Sequence, residues 1–141
     1  MENNYEIQRK FNYFLEKGEP PLDYGRQLLK GDLNKKRVLA ILDGEIVPPY
    51  EVEIQPSSVC NLACEHCFGR EYEKIPKKLL IKDLITLADR IDEFQENGFK
   101  IETVKFCGTT GEPLVNPSTL YGIRLFKNRG KKVMLFTNGL A

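Results

Sequence analysis

The chain has 141 residues, 41% hydrophobic and 29% charged, which is the composition of a globular protein with a modest core and excludes a disordered chain. A formal net charge of +1 provides no basic excess for a nucleic-acid backbone. No apolar run approaches the roughly 18 residues of a membrane span, and MENNYEIQRK lacks the basic start and apolar core of a secretory signal.

A cytoplasmic location is therefore expected, where cysteines stay reduced and serve metals or chemistry more often than disulfides. Residues 1–48 read as an N-terminal helical extension. Ile7, Phe11, Phe14 and Leu15 repeat at helical spacing, GEPP interrupts, and a second short helix is expected around Leu22, Leu28 and Leu29. A third runs from Asp32 toward Leu42 and is closed by Gly44. VPPY then marks a boundary, because neither proline continues a helix.

From residue 49 the pattern changes. YEVEIQPS alternates and predicts a strand, and the cysteine stretch follows it at once. Leu80, Leu84, Leu87, Ala88, Ile91 and Phe94 form one apolar helical face, with Gly98 as its stop. IETVKFC, residues 101–107, predicts a second strand, followed by the loop GTTGEPLV. Asn116 and Pro117 suit a helix start, and the helix to Gly130 is expected to bury Leu120 and Ile123. KVMLFTNG is the third strand and its turn.

The order β-α-β-α-β implies a parallel sheet with right-handed crossovers. Ligands of such sheets gather beyond the carboxyl ends of the strands. The stretches Cys60–Cys67, Gly108–Pro113 and Thr137–Gly139 each follow a strand and are expected on one rim.

Three of the four cysteines lie in SSVCNLACEHCFGR as C-x-x-x-C-x-x-C. A closed zinc site wants four ligands, and the candidates for the fourth are Cys107, more distant, and His66, which sits beside Cys67. A buried apolar stripe is a second reading, against which the polar flanks speak. The third reading is an iron–sulfur cluster: three thiolates on a short loop hold three irons of a cubane and leave the fourth open to a ligand. Cys107 itself reads as packing at a strand end.

With TGEPL (Thr110–Leu114) after the second strand and TNG (Thr137–Gly139) after the third, the cysteine motif resembles the radical S-adenosylmethionine (SAM) superfamily over roughly residues 50–141. The resemblance implies an incomplete (β/α) barrel, about three of six units, as a truncated core over residues 49–141. It implies that Cys60, Cys64 and Cys67 bind a [4Fe-4S] cluster whose open iron is chelated by SAM. An electron from the cluster then yields methionine and a 5′-deoxyadenosyl radical, which abstracts hydrogen from a substrate. Thr110, Gly111 and the Glu112 carboxylate would receive the methionine ammonium, Asn138 would touch SAM, and His66 would stand near the adenine. Thr110 replaces the family's first glycine; at positive φ a threonine costs about 1–2 kcal/mol, so a different local backbone is expected. Implied partners are a reducing protein such as a flavodoxin or ferredoxin, a peptide or small-molecule substrate, and a second copy or completing partner at the open barrel edge.

Overall fold

A computed structural model describes residues 32–67, 69 and 75–140. The expected helices around Ile7–Leu15 and Leu22–Leu29 lie outside these residues. The chain divides into two compact units, one of which is Pro48–Gln95 together with Lys100–Ala141. The other contains helix α1 (Asp32–Leu42) and Glu96–Phe99. As expected, α1 ends in Gly44, at φ +84°, where the Gly44 and Glu45 amides return to the carbonyls of Ile41 and Ala40. Arg37 of this unit is buried, with its guanidinium 5.1 Å from the centre of the Phe99 ring.

The larger unit is a mixed α/β structure. Strand β1 (Glu51–Ile54) leads through the cysteine loop into α2 (Ile81–Glu93). A tight hairpin of β2 (Gln95–Glu96) and β3 (Phe99–Lys100), of which Glu96–Phe99 belongs to the other unit, precedes β4 (Thr103–Phe106). A 3-10 turn at Pro113–Val115, helix α3 (Ser118–Asn128) and β5 (Lys132–Leu135) follow. The three longer strands form a parallel sheet in the order β1-β4-β5, with Ile54 beside Phe106 and Phe106 beside Leu135. The sheet is open, not a closed barrel.

Alternation decides which face of the sheet meets the helices. Ile54, Val104 and Phe106 point to one side and join Leu84, Ala88, Ile91, Ile101 and Phe126 in the core. Phe106 and Phe126 meet edge to face at 6.0 Å. Glu51, Glu53 and Lys105 point to the other side. There the Lys105 ammonium pairs with Glu53, stands 3.4 Å from Glu51 and lies 5.1 Å from the centre of the Phe136 ring. Glu53 and Phe136 are more than half exposed, so this face is wet at its carboxyl end, while Thr103 at its start is buried.

Three sequence expectations need correction. Helix α2 ends at Glu93, not near Gly98, and Leu80 and Phe94 are exposed, leaving Leu84, Ala88 and Ile91 as the buried stripe. The reason is the Asn97–Gly98 pair, both at positive φ (51° and 78°), which makes a two-residue hairpin of the type that Asn-Gly favours. Second, α3 does not bury Leu120, which is 57% exposed; it buries Thr119, Gly122 and Phe126. The Thr119 hydroxyl donates to the Pro113 carbonyl at 2.6 Å, and Gly122 lets the helix approach the sheet closely, which turns Leu120 outward. Third, the strand predicted over residues 101–107 pairs only over Thr103–Phe106, although Ile101 is buried in the core.

Gly122 offers a direct check of this packing. A Cβ there would stand 2.9 Å from Phe106 Cζ and 3.2 Å from Leu84 Cδ1. Overpacking costs about 1–3 kcal/mol, while alanine gains about 1 kcal/mol of helix propensity over glycine. Gly122→Ala is expected to be destabilising on balance, by about 1 kcal/mol, read as a lower urea midpoint at unchanged slope. An unchanged or higher midpoint contradicts the close approach of α3 to Phe106.

Candidate functional site

The cysteine loop is closed at its neck by two serines. Ser57 pairs with Lys78 as an isolated antiparallel bridge. The Ser58 hydroxyl donates to the Ile75 carbonyl at 2.7 Å and accepts from the Lys77 amide at 2.8 Å. The Asn116 side chain is buried and donates to the Pro56 and Leu79 carbonyls, each at 2.8 Å, so that one amide holds both stems of the loop. Its Oδ1 also accepts from the Ser118 amide at the start of α3, which is the capping role expected of it. The loop is thereby given fixed ends.

The loop after β4 is drawn onto the same place. The Glu112 amide donates to the Val59 carbonyl at 2.9 Å, one residue before Cys60. Gly111 lies flat against Ser57, where a Cβ would run into the Ser57 carbonyl, so the position excludes a side chain on steric grounds. A Cβ on Gly69 would stand 2.6 Å from the Thr110 Cα, so the far side of the cysteine loop packs there as well. Among the described residues Asn97 is the one non-glycine residue at positive φ, so Thr110 carries none of the strain that a threonine in a glycine conformation would bear.

Glu112 joins the second loop to the third. Its residue is 3% exposed. Oε1 accepts from the Thr137 hydroxyl at 2.6 Å and the Leu114 amide at 3.0 Å, and Oε2 accepts from the Asn138 amide at 2.8 Å. Burial pushes the carboxyl up, but the Thr137, Asn138 and Leu114 donors outweigh it and hold the group below its ordinary range. Asn138 in turn donates from Nδ2 to the Asn61 Oδ1 at 2.9 Å, and Asn61 donates to the Leu140 carbonyl at 2.9 Å. The three loops are therefore knotted together by side chains.

They border an open cavity of about 530 Å³. Its lining includes Cys60, Cys64, Cys67, Thr110, Gly111, Glu112 and Asn138, every cofactor and metal residue expected from sequence. His66 is exposed and is not part of the lining. Sequence reasoning missed the wet side of the sheet, which supplies Glu53, Lys105 and Phe136 to the cavity, along with the half-buried Cys107. The signal was present in the alternation of EVEI and TVKF. Burial first, and then the Glu53 carboxylate 3.5 Å away, push the Cys107 thiol up. Asn61 and Ser58 were also missed, since nothing in a polar loop distinguishes a clasp residue before the partner is known.

All four cysteines are free. Among the described residues no three His, Cys, Asp or Glu side chains converge as the ligands of a single ion do. A cubane makes a different demand, one thiolate on each of three irons, which spreads the donors around a wall. Three free thiols on the wall of one cavity fit that donor set.

No protein-family model matches the chain. The chain is similar to the tungsten-containing aldehyde ferredoxin oxidoreductase cofactor-modifying protein of Pyrococcus furiosus, with 30% identity over 86 residues, 61% of this chain. The match covers 23% of that protein's length, so the chain corresponds to about a quarter of it. No helix among the described residues is long and apolar enough to cross a membrane.

Proposed function

We propose that residues 49–141 are the first part of a radical SAM core, about three of six units of a partial (β/α) barrel. The observation that carries this reading is the convergence of three loops, each following a parallel strand, on one cavity lined by three free cysteines. The charged ladder Glu51–Lys105–Glu53 on the second sheet face supports a barrel lumen over a second helical layer. A parallel sheet with helices on both faces carries apolar side chains on both. Strand β5 stands at the edge of the described sheet, where a further parallel strand would add.

Cys60, Cys64 and Cys67 would hold the [4Fe-4S] cluster, which when bound supplies the electron for reductive cleavage of SAM. The chain's own part is binding and exclusion. Gly111 brings bare backbone to the cavity wall, and Glu112 has used three of roughly four acceptor positions, leaving one for an ammonium. A small reducing protein, flavodoxin or ferredoxin, would deliver the electron. The substrate is a peptide or small molecule, and the name of the Pyrococcus protein favours chemistry on another enzyme's cofactor.

The test is anaerobic reconstitution of the chain with iron and sulfide, followed by SAM and dithionite. Methionine and 5′-deoxyadenosine are expected in equal amounts. A bound cluster with neither product leaves a non-catalytic iron–sulfur fragment. Zinc without sulfide in the protein as purified leaves a zinc-stabilised interaction module.

A further inference from the structure

Asn138 has a second role open to it, on the cysteine loop itself. Its Oδ1 accepts from the Leu140 amide at 3.0 Å. That bond fixes the orientation of the side-chain amide, so Nδ2 is the edge turned toward the cysteine loop. Nδ2 meets Asn61 Oδ1 at 2.9 Å and stands 3.9 Å from Cys60 Sγ. The Leu62 amide approaches the same sulfur at 3.5 Å. Cys60 thus has two N–H donors, one from its own loop and one from the turn after β5.

We propose that Asn138 is a positioning residue for the cluster, donating a hydrogen bond to the Cys60 sulfur and thereby raising the cluster's reduction potential. This rests on the radical SAM reading above. The physical reason is general: the reduced cluster carries one more negative charge, and donors to a ligand sulfur stabilise that charge. The Asn138 amide is well placed for constancy. Its backbone N–H is held by Glu112 and its Oδ1 by Leu140, so the donor is aimed before a cluster is bound.

The experiment is an EPR-monitored potentiometric titration of the reconstituted chain without SAM, which reads potential and not turnover. Asn138→Ala is expected to move the midpoint to more negative potential with the iron content unchanged. Asn61→Ala breaks the clasp but keeps the Asn138 donor, and its midpoint should stay near that of the parent chain. If Asn138→Ala retains its iron at an unmoved midpoint, or if Asn61→Ala shifts it equally, the donor role is overturned. Should Asn138→Ala hold no iron, Asn138→Leu decides. It keeps nearly the same size and adds no charge but loses the donor, so its midpoint must fall, and an unmoved one overturns the proposal. Failure of the parent chain to assemble any cluster sinks the radical SAM reading and this proposal with it. A cluster with an unresponsive potential sinks this proposal alone.

Discussion

Chain prepared without oxygen is expected to carry about four irons and four sulfides, and the triple substitution of Cys60, Cys64 and Cys67 by alanine should remove both entirely. The expectation follows from the donor count. Each thiolate satisfies one iron, and the cavity lining contains one further thiol, Cys107. That thiol is engaged with Glu53, and burial and the carboxylate hold it toward the protonated form. It is therefore not expected to rescue the loss of a loop ligand. Single substitutions should each be severe, because the iron that loses its thiolate would need a ligand from outside the loop. The measurement is iron and acid-labile sulfide per chain, with the visible absorbance of the cluster beside it. Full iron and sulfide in the triple variant would move the site elsewhere, and zinc in place of iron would move the chemistry.

The second large effect belongs to Glu112. Replacing it with glutamine puts an amide where three donors converge on a carboxylate. Bonds to a charged acceptor contribute about 1.5–3 kcal/mol each, and donors left buried without a partner add to the loss. Glu112→Gln is therefore expected to cost about 2–4 kcal/mol at neutral pH, a value typical of a broken buried network. The pH dependence has a definite sign. The folded carboxyl titrates below its ordinary value of 4.5. Its contribution is thus complete above that value and is lost as pH falls through the lower, folded value. The gap between parent and variant should be full at pH 7 and narrow on acidification below 4.5. Urea unfolding at a series of pH values measures it. A gap of under half a kcal/mol, or one that widens in acid, would show that the carboxylate does not tie the three loops together.

The difference between what could be read and what could not follows the range of the forces. The alternation in YEVEIQPS set Val52 and Ile54 on one side of a strand, and the structure turns that side to the core, because side-chain direction along a strand is a local property. The β-α-β-α-β order led to the parallel sheet through the handedness of the crossover, which is also general. Leu120 was misplaced because its periodicity was compatible with more than one rotation of α3. The choice was made by Thr119 bonding to Pro113 and by Gly122 against Phe106, partners six and sixteen residues away. Gly98 was misread as a helix stop although Asn97 before it carries the hairpin signature.

In the candidate site the same division holds. The spacing of Cys60, Cys64 and Cys67 and the order of the three loops are local facts, and they named the residues that line the cavity. Which of them hold one another was settled by contacts across tens of residues: Glu112 with Thr137, Asn61 with Asn138, Asn116 with Pro56 and Leu79. Hydrogen bonds act over about 3 Å and only after the chain has been folded. Chain order alone therefore established that three loops would share a rim, while the packed molecule chose the side chains that bind that rim together.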